Sequence, residues 1–469
     1  MNFAGEYQAK AQKYVEEIFG AENVFKAGTI TKIQANTAFG FVRKYFDERG
    51  NEPNKFDVER LIDGCMGVKR STGQHPGGVI IVPKGHEIYE FCPVQHPAND
   101  VKSDIITTHY EYHSIDKNLL KLDVLGHDIP SMIRHLYDMT GVDPLTVPIK
   151  DEKVMKIFLG TEGLDIKDPE YTQTLGSYGI HELGTPFVRQ MLVDIKPTTI
   201  EELVRISGLS HGTDVWIGNA QDLVVNGVTT MREAIATRDD IMNYMLKHGL
   251  PNVDAFQIME KVRKGKGLTE EQESLMREHD VADWYIESCK KIKYMFPRAH
   301  AVAYVLMSMR EAYYKVYYPA EFYAAYFTTK ISNFDANVIL AGQKAVEARL
   351  REIENKGTEA SKREEGDVTI LEVAYEMYAR GYEFAPPRLG LSDAMKFGVH
   401  EGKVLLPFCV IEGMGESAAR AFVDRYNEHP YDTVEEVCER AKINKTVLEE
   451  LRKHGVLDGL PETAQISFF

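Results

Sequence analysis

Apolar positions change their spacing twice along this chain, and each change predicts a different kind of structure. Within residues 1–148, YQAKAQKYVEEIF (7–19) repeats apolar positions at helical spacing, whereas GGVIIVP (77–83), DIITTHYEYHSI (104–115) and NLLKLDVLG (118–126) read as strands. An α/β region is expected there. From 149 to 312 the pattern is helical, with turns at KPTT, SGLSHGT, KHGLPN and KGKGL. YYPAEFYAAYFTT (317–329) predicts an aromatic-rich helix behind Pro319, and ISNFDAN reads as a linker. The remainder predicts helices, a break at Pro386-Pro387, a short strand pair around MKFGVHEGKVLLPF (395–408) and two closing helices. The expected fold class is multidomain α+β, without internal repeats or low-complexity tracts.

The 469 residues suffice for about three domains, and 43% hydrophobic content builds ordinary cores. No stretch approaches the roughly 18 uninterrupted apolar residues of a membrane span, and MNFAGEYQAK lacks a signal segment, so a soluble cytoplasmic chain is expected. Five cysteines without a CxxC pair suit a reducing compartment and argue against a zinc knuckle. A net charge of −16 argues against a nucleic-acid partner, but its distribution does not. KVRKGK (261–266) and KKIKYMFPRAH (290–300) carry no acid, while acids gather in 350–372 and 416–450.

Several stretches carry candidate chemistry. RSTGQHPGGVIIVP (70–83) reads as a glycine-rich loop entering a strand, where Gly77 and Gly78 permit close backbone approach; such turns are also common without function. Asp123 stands in an apolar run that reads as a buried strand, and a buried carboxylate is costly unless a cation or several donors meet it. On pattern alone, such an Asp is more often paired with a neighbour such as Lys121, or placed at a strand end, than bound to metal. CVIEGMGESAARAFV (409–423) has the shape of a helix-hairpin-helix. Its Gly413-Met414-Gly415 turn would offer amides to a DNA phosphate, and the charge of Glu412 would oppose one. The terminal QISFF (465–469) is either a frayed tail or a docking peptide for a hydrophobic pocket.

Taken together, STGQHPGG, LLKLDVLGHD, GLSHGTDVWIGNAQ (208–221), VRKGKGL, KKIKYMFPRAHAVAYV (290–305) and QISFF resemble the C-terminal part of the PolC-type alpha subunit of DNA polymerase III, a C-family replicative polymerase. The resemblance covers essentially the whole chain. It implies the end of a polymerase-beta-like palm with a small thumb (1–148), mainly α fingers (149–312), and an α/β duplex-binding region with the helix-hairpin-helix and a tail (313–469). Asp123 would be the third of three palm carboxylates that hold two Mg²⁺ ions, which activate the primer 3′-hydroxyl and hold the incoming triphosphate. The family's first two aspartates form a D-x-D just before the position of Asn2-Phe3, whereas this sequence begins at Met1, so the chain alone is expected to be inactive.

A nucleoside triphosphate carries about four negative charges, for which Lys264, Lys266, Lys290, Lys293 and Arg298 are candidates, with Tyr294 stacking on the base or sugar. Each is otherwise part of a solvated basic face. Gln465, Ile466, Ser467, Phe468 and Phe469 would dock into the sliding clamp. The implied partners are primer-template DNA, dNTP, the clamp and other replisome subunits, with no membrane. The alternative function is a non-catalytic module that binds DNA and the clamp.

Overall fold

The computed structural model of the chain describes residues 1–97, 100–102, 105–110 and 112–463. They form two compact units, Met1–Ser131 and Met132–Phe469. The architecture is mixed α+β.

The first unit is organised by a five-stranded sheet in the order Val94–Gln95, Thr107–Thr108, Val24–Lys32, Lys69–Ile81, Leu120–Asp123. The two long strands are antiparallel, running from Val24 opposite Ile81 to Lys32 opposite Lys69. Successive side chains on a strand point to opposite faces, and the apolar run around Val79 uses both. Val79 and Ile81 pack with Val15 of helix Gln8–Phe19 and with Val124. Ile80 and Val82 pack with Ile88, Cys92, Ile115 and Leu119. Both faces of the sheet are therefore covered.

The glycine-rich stretch expected as a loop lies inside strand Lys69–Ile81. The register steps from Lys26 opposite Val79 to Gly28 opposite Gln74, so His75–Gly78 form a wide bulge against Ala27. A bulge tolerates Pro76, which has no amide to give to the ladder. Gly28 permits the neighbouring strand to approach, since a Cβ there would lie 1.8 Å from the Thr108 carbonyl oxygen.

The second unit is mainly helical. Helix starts carry side-chain caps at Thr185, Thr199, Thr269 and Ser361, three of them with a Glu or Gln two to three residues into the helix that returns the bond. Its centre is made by helices Arg298–Tyr317, Pro319–Thr329 and Lys362–Ala379. Tyr314, Lys315, Phe322, Tyr323 and Phe327 have no exposed surface. The strand pair predicted around 395–408 is present, with Gly398–His400 antiparallel to Lys403–Leu405, and Phe384–Ala385 adds a parallel third strand just before Pro386. Beyond it, Phe408, Met414, Phe422, Val437, Val447 and Leu451 share one small core.

The Lys315 ammonium is buried among acceptors: the carbonyl oxygen of Gly176 at 2.8 Å, that of Tyr178 at 2.5 Å and the Glu376 carboxylate at 2.7 Å. The Tyr323 hydroxyl donates to the same carboxylate, and Arg380 donates to the Tyr323 hydroxyl and the Lys315 carbonyl. Burial pulls the Lys315 pKa down to about 8 despite Glu376. Replacing Glu376 by Leu leaves an uncompensated buried cation. We expect a loss of about 3–5 kcal/mol in urea unfolding, with a clearly smaller loss when Lys315→Met accompanies it.

Candidate functional site

Asp123 ends strand Leu120–Asp123 at the sheet edge, opposite Gly78. The run is not the buried strand that its composition suggests: Leu120 is 55% exposed and the Asp123 side chain 49%. An edge strand of four residues has one flank open to solvent, which removes the desolvation cost. What the carboxylate meets is Lys121, whose Nζ lies 3.1 Å away.

Lys121 also approaches His75 Nε2 at 3.3 Å and the Tyr112 ring. The His75 Nδ1 accepts the amides of Gly77 and Gly78 inside the bulge. Burial first, and the Lys121 charge second, lower the His75 pKa. Both glycines are sterically required, since a Cβ would lie 2.4 Å from Leu125 Cδ2 at Gly77 and 2.8 Å from Lys121 Cε at Gly78. Magnesium needs several hard oxygen ligands. Asp123 is one carboxylate beside an ammonium, and among the described residues no group of three or more His, Cys, Asp or Glu is placed to hold a metal. These residues alone do not fit a two-magnesium centre.

The three stretches singled out between 208 and 298 do come together. The Thr213 amide donates to the Tyr294 carbonyl at 3.0 Å, and the Lys293 amide returns a bond to Thr213 at 3.1 Å. The Met295 amide donates to the Arg263 carbonyl at 3.2 Å. At Gly265, φ is +67° and a Cβ would sit 2.4 Å from the Lys293 carbonyl oxygen, so glycine lets the KGK turn lie directly on that backbone. Lys264, Lys266, Lys293 and Tyr294 are thereby gathered, with Tyr294 43% exposed and its ring edge-on to Phe296.

Several expected free cations are already paired. Lys264 meets Glu260 at 2.9 Å, Lys290 meets Glu287 at 3.1 Å and Glu273 at 3.4 Å, and Arg298 meets Asp240. Arg263 and then Lys264 pull the Glu260 pKa down to about 2. All of these acids lie outside the acid-free runs, which is why the runs alone overstated the free charge. Among the described residues, Lys266 and Lys293 are exposed and have no acidic partner.

His211, to which the sequence assigned no role, anchors this region. Its Nδ1 lies 2.7 Å from the Ser207 carbonyl and its Nε2 2.6 Å from Glu182 Oε2, with the Phe296 and His300 rings alongside. His181 pairs with buried Glu311 next to it. Glu182 has φ +66° in a turn, a position that no periodic pattern marks.

In the hairpin, Gly413 takes φ +82° and Gly415 caps helix Glu416–Glu428. Met414 does not face solvent: it is 2% exposed, and its amide is spent on the Ile411 carbonyl. An apolar residue between two glycines is drawn into the small core, which leaves Gly413 and Gly415 at the surface. A second hairpin was missed. Lys442, in the left-handed conformation, joins helix Val434–Ala441 to helix Lys445–Lys453, which Asn444 caps. Its signal was the exposed K-I-N-K between two amphipathic helices. Residues 465–469 lie outside the described residues.

Three family descriptions match the chain: "Bacterial DNA polymerase III alpha NTPase domain" over residues 50–126, "Bacterial DNA polymerase III alpha subunit finger domain" over 129–282, and "Helix-hairpin-helix motif" over 381–465. The whole chain is similar to proteins named DNA polymerase III PolC-type. It is 52% identical to that of Clostridium perfringens, 49% to that of Bacillus subtilis and 48% to that of Thermotoga maritima. All 469 residues align in each case, and they span 32–34% of the relatives' length. Among the described residues no helix is long and apolar enough to cross a membrane.

The His211–Glu182 pair predicts a pH signature. The Glu182 hydrogen bond raises the His211 pKa above 6.5, against burial, so its contribution is full below 6.5 and is lost as pH rises through the raised value. For Glu182, burial acts upward but the bonds and charge of His211 outweigh it, so its pKa falls below 4.5 and its contribution is lost only as pH drops through that lower value. The stability gap between the wild type and Glu182→Gln should therefore narrow by about 1 kcal/mol in thermal melts taken from about pH 6 to about pH 8.5.

Proposed function

The chain belongs to the PolC-type DNA polymerase III family as a segment spanning 32–34% of its relatives' length, and from that premise we propose that it is the part of a replicative DNA-directed DNA polymerase that holds nucleotide and duplex. In this reading residues 1–148 are the end of the palm with a small thumb, 149–312 the fingers, and 313–469 the duplex-binding region with a clamp-binding tail. The observation that carries it is the convergence of the 208–215, 261–267 and 290–298 segments, which sets Lys266, Lys293 and Tyr294 on one exposed surface.

Lys266 and Lys293 are available to triphosphate oxygens without losing an ion pair. Lys264, Lys290 and Arg298 exchange a carboxylate partner for phosphate, which keeps those positions ordered before the nucleotide arrives. Tyr294 offers its ring face to the base or sugar. The exposed amides around Gly413 and Gly415, at a helix N-terminus, suit a duplex phosphate read without regard to sequence. Asp123 would supply one carboxylate to a magnesium centre, which would need further oxygen ligands, and the Lys121 ion pair keeps that carboxylate placed. A non-catalytic module that binds DNA and the sliding clamp is the second reading, favoured by Asp123 standing with an ammonium and, among the described residues, in no group of three or more potential metal ligands.

One experiment separates the readings. In a longer polymerase carrying this segment, Asp123→Asn should abolish primer extension while primer-template binding and the melting temperature stay unchanged; an extending variant would remove Asp123 from the chemistry. The tail has its own test. A docked pentapeptide of this kind binds at about micromolar strength. Deleting residues 465–469 should therefore end capture by the sliding clamp and leave duplex affinity, with its steep salt dependence, intact.

A further inference from the structure

We propose that Ile217 is a platform on which an unpaired base of single-stranded DNA stacks. The inference rests on the nucleic-acid reading above and extends it to a residue and a strand state that the reading does not assign. Ile217 is 66% exposed, and Val225 and Val228 beyond it are 75% and 50% exposed. A large apolar side chain left in water is unremarkable when it sits on a mobile loop that could turn it inward. This one cannot turn inward.

The backbone is kinked where Ile217 stands, with φ −65° and ψ 132°, followed by Gly218 at φ +68°. The residues on either side are fixed. Trp216 is 4% exposed and Ala220 1%. Asn219, 1% exposed, donates to the carbonyls of Asp214 and Ser288 at 2.9 and 3.2 Å and accepts the Ser288 hydroxyl at 2.7 Å. Lys291 Nζ donates to the Gly218 carbonyl at 2.8 Å. A buried and fully bonded asparagine thus holds an isoleucine outward, an arrangement that serves a partner rather than the fold.

The chemistry beside it selects the partner. Lys291 reaches the Gly218 carbonyl, and the pairing of Thr213 with Tyr294 brings in Lys293 and the half-exposed Tyr294 ring. An apolar protein surface placed here would have to desolvate these cations, whereas a base on Ile217 leaves its flanking phosphates to them. Asp214 and Asp222, in the same stretch, are exposed and favour a neutral ring over a phosphate directly on Ile217. Paired bases in a duplex hide their faces, so the fitting ligand is single-stranded.

The test compares binding of the full chain to an oligothymidylate of about 20 nucleotides with binding to an abasic oligomer of equal length and charge, read by fluorescence anisotropy. The wild type should prefer the base-bearing strand by up to about fivefold, the low end of what an aromatic platform supplies per base, because isoleucine offers apolar contact without a π face. Ile217→Ser should erase that preference while keeping the salt dependence and the Trp fluorescence of the fold. If Ile217→Ser binds both strands with the wild-type ratio, or the wild type shows no preference, the platform is overturned and the DNA-binding reading stands. If the wild type binds neither strand at low salt, the platform is likewise overturned; the reading itself falls only if primer-template duplex, run beside them, is not bound either.

Discussion

An ammonium with no exposed surface has to be answered on every side, and Lys315 imposes that demand on the larger unit. Its acceptors come from residues 176, 178 and 376, and the groups that complete them come from 323 and 380. Arg189 and Glu372 add a second ion pair at 2.6 Å between the same distant stretches. The loop before Thr185, the long helix Arg298–Tyr317 and helix Lys362–Ala379 are thus fixed in one arrangement that apolar packing alone would permit to slide. Apolar contacts favour burial without regard to register, whereas a desolvated charge tolerates only the register that satisfies it.

The candidate nucleotide surface inherits that rigidity. Arg298 opens the helix that ends near Lys315, so the KKIKYMFPRAH segment enters from a fixed direction. Contacts that only glycine permits then bring the other two segments against it, Gly265 on the Lys293 carbonyl and Gly212 on that of Tyr294. His211 and Glu182 close the arrangement from behind. Three levels build on one another: a buried charge network sets the helices, glycines set the approach of backbones, and exposed side chains are what remains for ligands.

Sequence reasoning recovered the features that local physics writes locally. The helical middle, the strand pair at 395–408, the helix behind Pro319 and the hairpin at Gly413 each rest on periodicity or on punctuation within a few residues. It failed where partners are distant. The ion pairs of Lys264, Lys290 and Arg298 use acids 3 to 58 residues away, and the buried Lys315 sits in a run, YYKVYY, that gives no sign of Glu376. The bulge at His75–Gly78 was read as a loop because Pro and Gly signal an interrupted ladder without saying whether the strand resumes. Met414 was misplaced because a motif names the residues of a hairpin, not which of them turns inward.

The residues with proposed ligands share one property that separates them from the network around Lys315. Asp123, half exposed beside Lys121, gains less than about 1 kcal/mol from its ion pair, because water screens it. Among the described residues Lys266 and Lys293 make no ion pair, and Ile217 is held out of the core at the expense of hydrophobic burial. None of these side chains is needed where it is for the chain to fold. Yet each stands on backbone fixed by something else: Asp123 on a strand abutting two required glycines, Lys293 on backbone against which the Gly265 turn lies without room for a Cβ, Ile217 beside a buried asparagine. Rigid support given to side chains from which the fold draws so little stability is the arrangement that the proposed ligands require.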